Sequence, residues 1–173
     1  MDMNDLVTIR QEEERDFDAI RNVVKAAFAG AEHTDGDEHN LVDRLRITDE
    51  YIPELSLVAE VDGMIVGHIM FSRISIGNVC ALAMAPLAVI PSFQNKGIGQ
   101  TLIMTAHRRA KEMGYCCSVV LGSPGYYSKS GYLPASTFGI MSPFDVPPQF
   151  YMVYPLNPPL PEGTVRYSDA FGI

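Results

Sequence analysis

Cysteine is scarce in this chain of 173 residues, which contains only Cys80, Cys116 and Cys117. An odd number of cysteines, two of them adjacent, does not make a disulfide framework, and no Cys/His spacing typical of a zinc site lies near them. We therefore expect reduced thiols, buried as small apolar side chains in strands, and we expect no metal.

Basic clusters are missing as well. The chain has 13 Lys and Arg against 21 Asp and Glu, and its formal net charge is -8. Because a phosphate backbone is bound through clustered Lys and Arg, this composition argues against a nucleic-acid partner, whereas a cationic substrate such as an amine suits an acidic surface. We also expect no signal peptide, because the first residues are acidic and no apolar run follows them. The sequence therefore predicts a cytoplasmic location.

Charge is absent from residues 74–95, and a hydropathy scan would flag this span as a membrane segment. Two prolines, Pro86 and Pro91, interrupt the span, and turn residues bound it. We interpret it as a strand from Val79 to Val89 that is buried on both faces and is followed by a loop. The sequence therefore predicts no membrane partner.

The length and the hydrophobic content of 47% indicate one globular domain over residues 1–173. Apolar periodicity and turn residues predict an α/β or α+β order of elements. In the first half of the chain, we expect a strand at 7–10, a helix from Asp16 to Gly30, a polar loop at 31–40, a short helix around 41–47 and a hairpin turning at Asp62-Gly63. The strand at 79–89 follows, and then a helix that runs from a glycine loop to Gly114. In the last third, we expect a strand at 117–122, a short helix or turn at 124–130, closing strands at 132–141 and 150–156, and a surface tail from Asn157.

The stretch from Leu87 to Met113 organises these elements. It predicts the end of a buried strand, a tight loop with Gly97 and Gly99, and an amphipathic helix. The bare N–H groups and the dipole of a helix start favour a phosphate, and glycines let a pyrophosphate approach the backbone. The pattern is neither G-x-G-x-x-G nor G-x-x-x-x-G-K-[ST], which excludes the dinucleotide fingerprint and the P-loop. The inner face of the helix is predicted to carry Ile98, Leu102, Ile103, Ala106, Ala110 and Met113.

Two motifs and the C-terminal stretch carry a resemblance to a known family. The string P-L-A-V-x-P-x-x-Q-x-x-G-I-G, with Gln94, Gly97 and Gly99, resembles the coenzyme A pyrophosphate loop of the GNAT superfamily of N-acetyltransferases. Downstream, Y-Y-S-K-S-G-Y resembles the GNAT signature [FY]-Y-x-x-x-G-[FY], and the terminal V-R-Y-S-D-A-F looks like that of a subgroup of small bacterial predicted N-acetyltransferases. The resemblance covers nearly the whole chain and implies a mixed, mostly antiparallel central sheet flanked by helices.

The resemblance also implies roles for individual residues. Tyr127 matches the tyrosine that acts as general acid toward a departing thiolate, and an ordinary tyrosine pKa near ~10 lies above a thiol pKa of ~8.5. Backbone amides of Leu87–Val89 would stabilise the negative charge that develops on the acyl carbonyl. The implied coenzyme A site consists of Leu87, Ala88, Val89, Gln94, Asn95, Lys96, Gly97, Ile98, Gly99, Gln100 and Tyr127.

The general base is where the chain departs from the family pattern. Some members carry a Glu on the central strand, but Ala81–Met84 occupy that region here. Glu32, Glu38 and His39 lie in the loop before the second helix, where the family builds its acceptor site. We select Glu38 as the candidate base, acting directly or through water. The alternative interpretation is that each of the three is a solvated loop residue with no role in catalysis.

The resemblance thus implies an acetyl-CoA-dependent N-acetyltransferase that acts by direct transfer, in a ternary complex, to an amine of a small molecule or peptide. The alternatives are O- or S-acyl transfer, transfer of a longer acyl chain, and a non-catalytic acyl-CoA-binding or sensing domain. The acceptor, the acyl-chain length and the oligomeric state, monomer or homodimer, are left open. His68, in a strand, and His107, on the outer helix face, are interpreted as structural or surface residues.

Overall fold

The computed structural model describes residues 6–31 and 34–173, and one sheet dominates them. The strands are β1 Val7–Gln11, β2 Tyr51–Val61, β3 Met64–Ile76, β4 Val79–Val89, β5 Cys117–Leu121, β6 Leu133–Pro134, β7 Ile140–Met141, β8 Tyr151–Pro155 and β9 Gly163–Arg166. The helices are α1 Phe17–Phe28, α2 Glu38–Arg46, α3 Ile98–Glu112 and α4 Pro124–Tyr127. Seven strands follow the order β1-β2-β3-β4-β5-β8-β6, while β9 pairs with β3 and β7.

The sheet is built on a long hairpin of β2 and β3. Asp62 and Gly63, which join the two strands, have φ of 50° and 78°, so both adopt the left-handed conformation that a tight primed turn requires. The predicted turn is therefore confirmed. The turn sets the register, and β4 then adds to β3 in the antiparallel sense from Val79 to Val89.

Helices cover both faces of the sheet. On one face, α3 buries Ile98, Leu102 and Ala106 against β2 and β3, and Gly67 of β3 allows the close approach, since a Cβ there would lie 3.2 Å from Leu102 Cδ1. On the other face, α1 and α2 bury a second apolar cluster against the sheet. That cluster consists of Ile20, Val23, Val24, Val42, Leu45, Val58, Met70 and Ala88.

The feature that positions the site is the separation of β4 from β5. These parallel strands are paired only through Leu82 with Ser118 and Ala83 with Val119. The remainder of β4 stays paired with β3 as far as Val89, while β5 stays paired with β8. The two strands therefore diverge, and a gap opens beside the last part of β4.

The uncharged span folds as predicted. Within the described residues, no helix is both long and apolar enough to cross a bilayer. Residues 79–89 form β4, and its centre, Ala81–Met84, is buried. The expectation that all three cysteines are buried is wrong for Cys80, which is exposed at the start of β4, whereas Cys116 and Cys117 are buried.

Several expected boundaries are wrong. The loop predicted at 31–40 ends earlier, because the amides of Asn40 and Leu41 already donate to the Asp37 carbonyl at 3.0 Å and α2 begins at Glu38. Pro53, expected to follow the second helix, lies inside β2 at an irregularity in its pairing with β3, a position where no ladder donor is lost.

The C-terminal third differs most from expectation. Instead of one strand at 132–141, β6 and β7 contain two residues each and flank a 3₁₀ turn that ends at Gly139, whose φ is 74°. The tail expected to run over the surface contributes β9, and its Val165 is buried against Ile76 of β3. Met113, expected on the inner face of α3, is exposed because the helix has already ended at Glu112.

Candidate active site

The glycine loop between β4 and α3 is held by its own side chains. The Gln94 amide donates to the carbonyl of Val89 at 2.9 Å, which ties the loop to the end of β4, and the Thr101 hydroxyl donates to the Gly97 carbonyl at 2.9 Å. Asn95 and Gly97 have φ of 61° and 83°, so the backbone turns sharply before Ile98 starts the helix. This arrangement presents the free N–H groups of the first helical turn to one cleft.

That cleft, called the loop cleft below, has a volume of about 580 Å³. It lies between the end of β4, the glycine loop and α4, and it is lined by Ala27, Phe28, Ala31, Leu87, Val89, Phe93, Gln94, Asn95, Gly97, Ile98, Gly99, Gln100, Tyr126, Tyr127 and Lys129. The structure thus brings together all the residues expected at coenzyme A except two. Ala88 packs on the opposite face of the sheet, and the Lys96 ammonium lies 5.9 Å from the centre of the Phe93 ring.

Tyr127 lies at the end of α4, against the loop cleft. Its amide donates to the Ser123 carbonyl at 3.0 Å, and its ring packs on Gly122, where any Cβ would collide with it. Tyr126 and Tyr132 contact it edge-on, with ring centres 5.0 and 5.7 Å away. Its hydroxyl has no hydrogen-bond partner in the described part of the chain. Burial, with a smaller contribution from Tyr126, raises the pKa of Tyr127 above the ordinary tyrosine value, so the phenol stays protonated at neutral pH.

His107 was expected on the outer face of α3, and this is wrong, because its side chain is buried. Its Nε2 lies 2.8 Å from the Ser118 hydroxyl and 3.1 Å from the Tyr132 hydroxyl, and its ring stacks on Tyr154 at 4.1 Å. Burial lowers the pKa of His107 to about 3, so the ring is neutral. The sequence did contain a signal, since position 107 follows Ile103 by four residues on the apolar side of the helix.

A second cleft, called the acidic cleft below, lies beside Met84 and Ala85 of β4, near the end of β5. Its volume is about 380 Å³. Apolar and aromatic walls come from Leu41, Leu121, Phe144, Tyr167 and Phe171, and charged walls from Asp35, Asp37, Glu38 and Arg44. Of the three base candidates, only Glu38 has been placed in a cleft, since His39 does not line this one and Glu32 lies outside the described residues.

The charges of the acidic cleft do not cancel. Arg44 forms an ion pair with Asp37 at 2.9 Å and donates to the Ala170 carbonyl at 3.0 Å. Glu38 accepts a hydrogen bond from the Thr34 hydroxyl, and Asp35 accepts one from the amide of Asp37. Neither Glu38 nor Asp35 is paired with a cation from the described residues, so the cleft has a negative electrostatic character.

His68 belongs to a buried polar cluster away from both clefts. Its Nδ1 lies 3.1 Å from the Leu57 carbonyl, and Glu12 beside it accepts from Arg46 at 2.8 Å and from Tyr51 at 3.0 Å. Burial is the largest cause that lowers the pKa of His68, to about 4. These contacts agree with the structural interpretation of this histidine.

Comparison with known proteins yields one family. The model of the acetyltransferase (GNAT) family matches residues 11–132. A curated relative, the uncharacterized N-acetyltransferase YjhQ of Escherichia coli K12, is 36% identical over 137 residues, which are 76% of this chain and 73% of that protein. The chain therefore belongs to the GNAT family of acetyltransferases, which are acyltransferase enzymes.

Solved structures agree with this assignment. A GNAT family acetyltransferase from Brucella melitensis, in complex with acetyl-CoA, is 32% identical with a TM-score of 0.81, and the match covers 95% of this chain and 97% of that one. YhbS of Escherichia coli, in complex with CoA, is 26% identical with a TM-score of 0.83, and the match covers 96% and 92%. The predicted mixed, mostly antiparallel sheet with flanking helices is confirmed.

Proposed function

We propose that this chain transfers an acetyl group from acetyl-CoA to the amine of a small molecule or peptide, by direct attack in a ternary complex. The observation that carries the proposal is the divergence of β4 from β5. The loop cleft, with its glycine loop and Tyr127, lies along the end of β4, and the acidic cleft lies beside Met84 and Ala85 of the same strand. A thioester and an amine held in these two clefts would meet at the gap.

The loop cleft fits a coenzyme A thioester. Asn95 and Gly97 turn the backbone so that amides of the first turn of α3 face the cleft, and a pyrophosphate is the ligand such a helix start favours. Leu87 and Val89 provide an apolar wall for the pantetheine arm. Backbone amides of residues 87–89 that face the gap would donate to the acyl oxygen as it gains negative charge.

Tyr127 is proposed as the proton donor. When the amine nitrogen forms its bond to the acyl carbon and the carbon–sulfur bond breaks, the sulfur leaves with the electron pair and takes the phenol proton. The raised pKa of Tyr127 guarantees the protonated form but makes the phenol a weaker acid. A thiolate released in the same desolvated site is also a stronger base than in water, so the transfer remains feasible.

Glu38 is proposed to accept a proton from the acceptor ammonium, directly or through water. The carboxylate lines the acidic cleft and has no cationic partner among the described residues. A negative cleft concentrates an ammonium ion, which favours an amine over a neutral hydroxyl or thiol acceptor. The cleft volume of about 380 Å³ suits a small amine or the terminal residue of a peptide, with its apolar part against Phe144 and Tyr167.

A screen tests the proposal. Release of free thiol from acetyl-CoA is measured with a panel of primary amines, peptides, alcohols and thiols, and product mass identifies the acetylated atom. We expect thiol release with at least one primary amine and an amide as the product. Coenzyme A binding without thiol release across the panel would favour the sensing-domain alternative, and an ester or thioester product would favour a different acceptor atom.

A further inference from the structure

A third cleft lies on the other side of the glycine loop, between α3 and the segment that follows α4. Its volume is about 660 Å³. We call it the cationic cleft, and it is lined by Gly97, Gln100, Thr101, Ile103, Met104, His107, Arg108, Lys111, Lys129, Ser130, Tyr154 and Leu156. The proposed chemistry uses neither this space nor the cations around it.

The charges of this cleft are of one sign. Arg108, Lys111 and Lys129 line it, and no carboxylate is among its described lining residues. None of the three forms an ion pair with a carboxylate of residues 6–31 or 34–173. Three cations without counter-charges form a local positive field on a chain whose net charge is -8. The cleft therefore suits an anion.

The cationic cleft adjoins the loop cleft. Gly97, Gln100 and Lys129 line both, so a ligand with a pyrophosphate at the loop can extend into either. The apolar end of the loop cleft, at Leu87 and Val89, suits the pantetheine arm of coenzyme A. With the pantetheine arm at that end, the nucleoside of coenzyme A extends from the glycine loop toward the cationic cleft.

The side chains of this cleft are placed to contact a phosphorylated nucleoside. Arg108 follows Ile98 by ten residues, or ~15 Å along the helix. Helical side chains lean toward the helix start, so the Arg108 guanidinium, which lines the cleft, can extend toward the loop. Met104 is 58% exposed in the cleft, and its polarisable thioether suits contact with a purine. The Ser130 hydroxyl is buried with no hydrogen-bond partner in the described part of the chain, and an oxygen-rich ligand would supply one.

We propose that the cationic cleft binds the 3′-phosphate of coenzyme A through Arg108 and Lys129 and makes the enzyme selective for the 3′-phosphorylated cofactor. The inference rests on the proposed use of acetyl-CoA. Arginine binds a phosphomonoester through two parallel hydrogen bonds, and lysine adds a point charge. The same chemistry, a phosphomonoester on a nucleoside, is also present in a free nucleotide, so the experiment separates these two sources.

The test compares dissociation constants for coenzyme A and 3′-dephospho-coenzyme A by calorimetry. The wild-type protein is expected to bind coenzyme A at least about tenfold more tightly, the effect of one charge-assisted contact. Arg108→Met and Lys129→Met should each reduce this ratio, and the double variant should bring it close to one. Arg109→Met is the matched control, because it removes the same charge from the neighbouring position of α3, where Arg109 faces the Glu54 carbonyl instead of the cleft.

The outcomes are distinct. A wild-type ratio near one, or equal weakening of both cofactors by Arg108→Met and Lys129→Met, overturns the inference and leaves the proposed function standing. Failure of the wild-type protein to bind either cofactor overturns both. Adenosine 3′,5′-bisphosphate serves as the probe for the second source, and its binding to protein already saturated with coenzyme A would show a separate nucleotide site and overturn the assignment. Competition between the two ligands supports it.

Discussion

The hydroxyl of Tyr126 in α4 lies so close to Gly99 in the first turn of α3 that a Cβ on residue 99 would overlap it. The same Cβ would lie 3.6 Å from Tyr126 Cζ, an ordinary contact, so the Tyr126 hydroxyl is the atom that must move to admit a side chain at this position. Glycine at position 99 therefore lets α4 close onto the loop that is proposed to hold the pyrophosphate.

Gly99→Ala should weaken coenzyme A binding by up to about tenfold, because Tyr126 lines the loop cleft and must leave its position there, a shift that costs on the order of a kcal/mol. Calorimetry measures the change. Tyr126→Phe removes only the overlapping hydroxyl, so the double variant should recover most of the affinity lost by Gly99→Ala. Gly99→Glu adds like charge beside the pyrophosphate and should not be recovered by Tyr126→Phe. Undiminished binding by the Glu variant would place the cofactor elsewhere.

Tyr127→Phe should lower kcat by roughly 10²-fold to 10⁴-fold, the usual size of a general-acid contribution, while acetyl-CoA affinity changes little. The ring that packs on Gly122 and Tyr132 is kept, so the fold should survive. Steady-state kinetics with a working acceptor, together with calorimetry, separate the two effects. Tyr115→Phe, which removes a phenol outside the three clefts described above, is the control. Unchanged turnover would mean that water, not Tyr127, protonates the departing thiolate. A loss of activity explained by weaker acetyl-CoA binding would mean that Tyr127 only lines the cleft.

Glu38→Gln should lower kcat/KM most strongly near neutral pH, with a smaller loss as the pH approaches the pKa of the acceptor amine near ~10, because the amine then needs no base. The measurement is the pH profile of kcat/KM for the wild-type protein and the variant. Glu54→Gln removes the same charge from an exposed position of β2 and should leave the profile unchanged. A loss by the same factor at every pH would assign Glu38 to acceptor binding instead of proton transfer.

The buried ion pair of Arg46 and Glu12 makes a separate prediction about stability. The two side chains are 7% and 1% exposed and are joined at 2.8 Å. Arg46→Met leaves an uncompensated buried carboxylate and should lower the free energy of unfolding by about 3 kcal/mol or more. Arg15→Met breaks the exposed pair with Glu13 and should change it by less than about 0.5 kcal/mol. Urea denaturation measures both values, and similar losses would contradict the distinction.

Local patterns predicted most of the sheet and the glycine loop. The extent of β4, the Asp62-Gly63 turn and the start of α3 each depend on residues that are close in sequence, so periodicity and turn chemistry suffice for them. The pairing of β4 with β5 is different, because α3 lies between the two strands and only Leu82 and Ala83 find partners across that distance. The gap that defines the site was therefore available only through the family resemblance.

The errors have the same physical origin. The proline-rich tail gives no local signal for β9, because the pairing of β9 with β3 depends on a partner about ninety residues away, a long-range contact that outweighs local propensity. The polarity of histidine favours an outer position for His107, yet the hydroxyls of Ser118 and Tyr132 satisfy its Nε2 in the core. Burial of polar groups depends on partners that a linear pattern does not reveal.

The neutral state of His68 and His107 predicts how stability depends on pH. Burial is the main cause that lowers their pKa values in the folded protein, to about 4 and about 3, below the value of 6.5 for an unperturbed histidine. At a pH between the unperturbed value of 6.5 and these lower values, the histidines of the unfolded chain bind protons that those of the folded chain do not. Stability is therefore lost as the pH falls below ~6.5. Glu12 adds to this loss at lower pH. Burial is the largest single effect on its pKa and raises it, but the contributions of Arg46, His68 and Ser56 together outweigh burial, so the pKa is lowered.

Near pH ~5.5, unfolding should therefore take up about two protons at these two histidines. Scanning calorimetry in buffers with different enthalpies of ionisation measures this uptake. His107→Gln keeps a side-chain amide near the Ser118 and Tyr132 hydroxyls but cannot be protonated, so it should reduce the uptake by about one proton. His68→Gln should do the same, and the double variant should remove both. An uptake that neither substitution changes would mean that the two histidines are already protonated in the folded protein.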